Sequence, residues 1–310
     1  ALTMIGVDLF LLGGRKAHKV TLKEAGAWSV AWILLALIFC GGLWWYLNGT
    51  MGREVADDKA MEFLSGYLIE KSLAVDNIFV WLMLFSFFAV PAELQRRVLL
   101  FGVLGAIIMR TVMIIAGAWL LAKFHWILYL FGAFLLFTGI KMIWFANHEP
   151  DLESNPVLRW MRGHLRITSS LEGERFWVWK DGVRWFTPLF VVLILVEITD
   201  LIFAVDSIPA IFAITSDPFI VLTSNIFAIL GLRAIYFLLT DFADRFSLLK
   251  YGLASVLMFI GVKMLLLDIH KIDTALSLGV VAALIASSML ASLWVTREKR
   301  RAEVAERVLN

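Results

Sequence analysis

The sequence predicts an all-α polytopic membrane protein, and three observations carry that prediction. Apolar residues fill 61% of 310 positions, against roughly 45–50% in soluble domains. Charged residues are only 17%, where about 25% is usual. The apolar residues also gather in runs of about 17–25 between polar breaks, the length needed to cross a bilayer. With 24 Phe, 13 Trp and a mean hydropathy of +0.83, the chain cannot hide its apolar surface in its own core, so lipid must solvate most of it. That excludes a soluble enzyme, a nucleic-acid module and a disordered chain. The net charge of +2 needs no anionic partner, because membrane proteins carry excess Lys and Arg in cytoplasmic loops. The one cysteine, Cys40, excludes an internal disulfide, a CxxC pair and a thiolate zinc site.

Along the chain, Leu2 to Leu12 is an apolar stub too short to cross. Because position 1 is Ala rather than Met, it reads as the remainder of a truncated first helix. A cleaved signal peptide would not leave a remnant this apolar up to Arg15. Eight complete spans follow at 28–47, 62–89, 98–122, 127–146, 187–214, 218–240, 249–267 and 274–296, about nine transmembrane helices with the truncated one. The expected units are 1–61 (truncated helix and one peripheral span), 62–146 (a first three-span repeat), 147–186 (a long loop), 187–268 (a second three-span repeat) and 269–310 (a last span and basic tail).

Positive charge sets the orientation. One set of alternate loops carries 19 Lys and Arg, the opposite set carries 4, and five lie within spans: Lys71, Arg110, Lys141, Arg233 and Lys263. The richer side, with the C-terminus, is expected in the cytoplasm. The long loop lies on that side. Its Asn155-Pro156 pair reads as a helix start. Val157, Leu158, Met161 and Leu165 then interleave with Arg159, Arg162 and Arg166, as in a basic amphipathic helix lying on the leaflet. Phe176, Val178, Asp181-Gly182, Val183 and Trp185 read as a β-hairpin with a tight turn. A surface-bound linker is the simpler role for this loop, a gate or sensor lid the sharper one.

Two stretches repeat. Glu70-Lys71-Ser72-Leu73-Ala74-Val75-Asp76-Asn77-Ile78 is matched by Asp200-Leu201-Ile202-Phe203-Ala204-Val205-Asp206-Ser207-Ile208. Further on, Phe137-Thr138-Gly139-Ile140-Lys141-Met142 is matched by Phe259-Ile260-Gly261-Val262-Lys263-Met264. Each copy holds three spans, an odd number, so the copies are expected upside-down relative to one another. Inverted repeats with a midplane site where they meet are the plan of many secondary transporters.

Acids inside spans cost about 2.5–3.5 kcal/mol each on insertion scales. Here Glu70, Asp76, Glu197, Asp200 and Asp206 sit on the first helix of each copy, beside Asn77, Thr199 and Ser207. Glu197 and Asp200 share a face. Asp206 returns to that face only if the backbone breaks, and Ser207-Ile208-Pro209 offers a break. Carboxylate, amide, hydroxyl and carbonyl oxygens suit Mg²⁺, Ca²⁺ or Mn²⁺ rather than Zn²⁺ or copper. The competing account is structural: the acids pair with intramembrane bases, Arg110 and Arg233 foremost, while Lys141 and Lys263 snorkel from span ends.

Leu195-Val196-Glu197-Ile198-Thr199-Asp200 running into Phe203-Ala204-Val205-Asp206-Ser207-Ile208-Pro209-Ala210 resembles the signature of the TerC family, and Glu70 through Asn77 its partner motif. The resemblance covers nearly the whole chain, including Gly231-Leu232-Arg233, and is greatest to the family's Alx branch. It implies a bacterial inner-membrane protein that exports Mn²⁺ from the cytoplasm. Its metal-site positions carry over onto Glu70, Asp76, Asn77, Glu197, Asp200, Asp206 and Ser207, with Arg110, Arg233 and Lys71 as supporting charges. The expected partners are Mn²⁺, other hard divalent cations such as Ca²⁺ or Mg²⁺, protons as a counter-ion, and the lipid bilayer, with no nucleic acid and no bound cofactor. Two rival classes remain. A non-transporting scaffold for stress or secretion partners needs neither a polar seam nor a repeat. A membrane enzyme lacks support, since no HExxH, GxSxG, P-loop or dinucleotide motif is present.

Overall fold

A computed structural model of the chain describes residues 22–124, 126–144, 155–240, 248–269 and 272–309. The expected truncated helix at 2–12 and the first part of the long loop, to 154, lie outside the described residues. The elements are α1 Leu22–Thr50, α2 Arg53–Phe87, α3 Ala92–Lys123, α4 Ile127–Trp144, α5 Pro156–His164, β1 Trp177–Lys180, β2 Val183–Phe186, α6 Pro188–Phe212, α7 Pro218–Leu230, α8 Leu232–Thr240, α9 Leu249–Leu265 and α10 Thr274–Leu309. Each expected span coincides with one of these helices or, at 218–240, with a pair. Among the described residues, six spans are long and apolar enough to cross a membrane. The other two are α2, which carries Glu70, Lys71 and Asp76 in its centre, and α9, only 17 residues long. The protein is therefore an integral, multi-pass membrane protein.

Local chemistry sets the helix ends. Gly52, with φ of 95°, makes the turn between α1 and α2 that a side chain would resist. Asp217 starts α7 by accepting the Phe219 N–H at 3.0 Å, ahead of Pro218 in the first turn. Asn155 does the same for α5, accepting from Val157 and Leu158 at 2.9 and 3.2 Å.

Helices α2 and α6 pack against one another and share their remaining faces among most of the other helices. Residues of α2 enter three of the apolar clusters, as do residues of α6. Helices α4 and α9, which carry the two Phe-x-Gly-x-Lys-Met motifs, pack directly on each other. Their approach is set by glycine: a Cβ on Gly261 would lie 2.7 Å from the Gly132 carbonyl oxygen, and one on Gly139 2.8 Å from that of Ala254. Small residues that let backbones touch are a main source of helix association in lipid, where apolar side chains gain nothing over acyl chains.

Two expectations about lysine and one about the loop meet the structure here. Lys141 is exposed, as snorkelling requires. Lys263 is buried instead, and its Nζ donates to Ser277 Oγ on α10 at 2.9 Å. It sits on the face of α9 that α10 covers, so a partner hydroxyl replaces the water it would otherwise seek. The loop does hold the expected helix and hairpin, with Asp181 and Gly182 at φ of 53° and 73° in a tight turn. Leu158 and Met161 of α5 are buried with Phe176 against Leu189, Val191 and Val192 of α6, while Val157 and Leu165 keep part of their surface exposed. Arg97 holds the hairpin side to α3, pairing with Glu174 at 3.0 Å and lying over the Phe176 ring.

The glycine seam makes a prediction. Gly261→Ala forces a methyl group into backbone and is expected to destabilise the protein by about 1–3 kcal/mol. Gly279→Ala, with nothing within 4 Å of its new Cβ, should unfold at the parent temperature or slightly above. Thermal unfolding in mild detergent compares the two, and equal behaviour would remove the close α4–α9 approach as a structural element.

Candidate functional site

Residues seven apart on a helix turn through about 700° and so return to within about 20° of the same direction. Glu70 and Asn77 on α2 have that spacing, and so do Asp200 and Ser207 on α6. Each motif helix therefore turns one acid and one neutral oxygen-bearing side chain toward the same side. The structure brings all four together around Arg110 of α3. The five residues are at most 2% exposed. Glu70, Arg110 and Asp200 also fall near the midpoints of helices 35, 32 and 25 residues long.

Arg110 faces Asp200 fork to fork. Nη2 donates to Oδ1 at 2.9 Å and Nε to Oδ2 at 3.2 Å, the geometry that makes arginine–carboxylate bonds strong and directional. Its Nη1 pairs with Glu70 Oε1 and reaches Ser207 Oγ at 3.5 Å. Asn77 Nδ2 adds a second donor to Asp200 Oδ1 at 2.9 Å. Two carboxylates thus share one guanidinium, leaving the centre with a formal charge of −1 among apolar helices. Unit charges about 4 Å apart interact by about 4 kcal/mol at an effective dielectric constant near 20. Burying each ion costs several kcal/mol, so such a cluster holds together because losing one member costs more than keeping it.

The other expected site residues lie elsewhere. Helix α6 runs unbroken through Pro209 to Phe212, which corrects the expected unwinding. Pro209 lacks only the bond to the Val205 carbonyl, and the helix continues past it for three more residues. Asp206 consequently stays off the Arg110 face and accepts from Thr138 Oγ1 of α4 at 3.2 Å. Glu197 is half-buried with its carboxylate against α3, where a Cβ on Gly105 would lie 2.1 Å from Oε1. Asp76 lies on α2, and its side chain is outside what the structure describes. Arg233 is buried on α8. Among the described residues, no three His, Cys, Asp or Glu side chains are gathered as a metal cage. Of the expected ligands whose side chains are described, Glu70, Asn77, Asp200 and Ser207 gather around Arg110, while Glu197 and Asp206 face other neighbours.

Lys71 has a distinct setting. The span over 218–240 is interrupted at Gly231, between α7 and α8. There the Lys71 ammonium donates to the Ala228 carbonyl at 3.0 Å, a cation at the C-terminal end of a helix. A Cβ on Gly231 would come within 2.6 Å of that nitrogen. At one end of the bundle, Lys59 bridges Glu62 at 2.8 Å and Asp217 at 3.3 Å, and Thr215 donates to Glu62 at 2.6 Å. Burial works against the Lys59 charge, but Glu62 and Asp217 outweigh it and raise its pKa. Gly105 and Ala228 were not readable as site residues, since only their placement makes them so. Thr138 carried a signal, as a hydroxyl in the Phe-Thr-Gly-Ile-Lys-Met motif.

The family described as the integral membrane protein TerC family matches residues 55–300. A relative from Escherichia coli O6:H1, named as a membrane-bound redox modulator, Alx, is 59% identical over 302 residues, covering 97% of this chain and 94% of the relative. A relative of the same name from Salmonella typhi is 59% identical over 296 residues, covering 96% and 92%. An uncharacterized membrane protein of Myxococcus xanthus is 46% identical over 296 residues, covering 96% and 90%. No solved structure matches.

The shared guanidinium makes a prediction about stability. Arg110→Gln leaves Glu70 and Asp200 buried without their cation and should cost about 3–5 kcal/mol. Adding Glu70→Gln and Asp200→Asn removes the stranded charges and should recover most of that loss. Unfolding in mild detergent reads both, and a triple variant no more stable than the single one would mean the network is not an electrostatic unit.

Proposed function

The chain belongs to the TerC family of integral membrane proteins, and on that premise we propose that it is a secondary transporter exporting Mn²⁺ across the bacterial inner membrane. The observation that carries the proposal is the buried Glu70–Arg110–Asp200 centre with Asn77 and Ser207. Ionisable groups at such depth are a default marker of an ion or proton path. The donors are all hard oxygens, which favour Mn²⁺, Mg²⁺ and Ca²⁺ over softer metals. The positive-inside bias, with 19 of 28 Lys and Arg on one side, supports a cytoplasmic C-terminus.

The inverted repeat is part of the same proposal. Two observations support it: corresponding helices of the two copies, α2 with α6 and α4 with α9, pack on one another, and each motif helix presents an acid and a polar residue seven apart. In this reading one copy supplies Glu70 and Asn77, and the other Asp200 and Ser207. A divalent cation bridging the two acids would take the place of the Arg110 guanidinium. Arg110 then acts as a resident rival cation that swings away on loading and returns on release. The relatives' name favours a second reading, a redox role. Cys40, the one cysteine, is buried on α1 with its thiol 3.7 Å from the Ala60 carbonyl. A dithiol couple within the chain would need a second thiol, so transport is preferred.

Two predictions follow from sharing one site between two copies. Glu70→Gln and Asp200→Asn, each of which leaves the other acid paired with Arg110, should each bring Mn²⁺ flux in proteoliposomes close to background while the protein remains folded in the membrane. A lost carboxylate removes interaction of several kcal/mol with a dehydrated divalent ion, so normal flux in either variant would mean that the two copies do not converge. The second prediction concerns coupling. If protons neutralise the acids on metal release, a pH-sensitive dye inside the vesicles should report a pH change during flux with the membrane potential clamped. Metal movement without a pH change would assign neutralisation to Arg110 alone.

A further inference from the structure

At the end of the bundle where α2 finishes and α6 begins, α5 covers a cavity of about 790 Å³ with a divided lining. Arg162, Arg166 and Ser169 line its polar part, and Phe87, Phe88 and Leu165 its apolar part. Neither arginine has a carboxylate partner among the described residues. Among the described acids of the loop, Glu172 pairs with Lys180 at 2.7 Å, Glu174 pairs with Arg97 at 3.0 Å, and Asp181 sits in the hairpin turn. The cavity thus joins two exposed guanidinium groups, with no carboxylate partner among the described residues, to an aromatic floor at the end of a spanning helix.

We propose that this cavity is a binding site for an anionic glycerophospholipid of the adjacent leaflet, its phosphodiester held by Arg162 and Arg166 and the start of an acyl chain on Phe87, Phe88 and Leu165. Guanidinium groups match phosphate oxygens in both charge and donor geometry. A small soluble phosphate would satisfy the arginines and leave the aromatic floor in water. A zwitterionic lipid would cover the floor and leave a net positive charge. An anionic lipid satisfies both halves. The α5 helix already sits at this level, with Trp160 57% exposed on its far flank, the kind of residue that anchors at membrane interfaces. The bound lipid would tie the end of α2 to α5 and the start of α6. Those two long helices carry Glu70 with Asn77 and Asp200 with Ser207, so lipid binding would brace the frame of the buried centre. The inference does not depend on which ion is transported.

Native mass spectrometry of the full chain from neutral detergent, titrated with phosphatidylglycerol or phosphatidylethanolamine, tests the site. One tightly held phosphatidylglycerol per chain is expected, with a higher unfolding temperature in its presence. Arg162→Gln with Arg166→Gln should weaken that binding by about tenfold or more, whereas Arg159→Gln, outside the cavity lining, should change it by about twofold or less. Equal affinity for the zwitterionic lipid would overturn the proposal. So would unchanged binding in the folded double variant, or displacement of the lipid by inorganic phosphate at equal concentration, which would mark a soluble-anion site. The headgroup comparison uses the unmodified chain and decides the question even if the double variant does not fold.

Discussion

Two carboxylates and one guanidinium, buried together in the middle of an apolar bundle, constrain everything around them. In water each charge would find its own solvent. Here, among the described residues, Glu70, Arg110 and Asp200 find their partners in one another, Asn77 and Ser207. Because a fork-to-fork bond tolerates little misalignment, α2, α3 and α6 must be fixed in both depth and rotation. A slide of one residue along any of the three moves its charged group about 1.5 Å and turns it about 100° away. The apolar clusters shared between α2 and α6 supply the rigidity that this register demands.

Small residues solve a related problem at the backbone. Apolar side chains do not drive helices together in lipid, so close packing depends on where backbone can approach backbone. Gly139 and Gly261 do this between α4 and α9, and Gly105 leaves room on α3 for the Glu197 carboxylate. Gly231 has a different use. It interrupts the span between α7 and α8 and lets the Lys71 ammonium reach the Ala228 carbonyl. An intramembrane lysine is thereby held by a helix end, with no acid drawn from the central cluster.

Hydropathy made the helices legible, because a run of apolar residues in lipid has one way to satisfy its backbone. It also made the acids legible, since a charge inside such a run stands out. What it could not show was partnership. Arg110 and Asp200 are 90 residues apart, and their meeting depends on the rotation of helices placed by contacts with others. The same gap explains Lys263, whose position near a span end suggested snorkelling until α10 proved to cover it. Pro209 misled for a local reason. Proline removes the bond to the carbonyl four residues before it, here Val205, but α6 keeps its helical course on both sides of that gap. The interruption at Gly231, one residue between α7 and α8, is a consequence of packing that composition does not reveal.

On the transport reading, the arrangement of acids along α6 has a logic of its own. Glu197, Asp200 and Asp206 are spaced three and six residues apart, so they lie about 4.5 and 9 Å from one another along the helix axis. They are also turned to different neighbours: Glu197 to α3 at Gly105, Asp200 to Arg110, and Asp206 to Thr138 of α4. Among the described residues, only the middle acid is paired with a guanidinium, while the Lys141 ammonium acts on Asp206 from farther off. A cation moving along this helix would meet carboxylates at three depths, and would have to displace a guanidinium only at the central one. That single competition would keep the centre from holding a divalent ion too tightly to release it. A site built only of acids would bind more strongly and let go more slowly. The arginine at the midpoint is thus what allows a deep binding site also to be a passage.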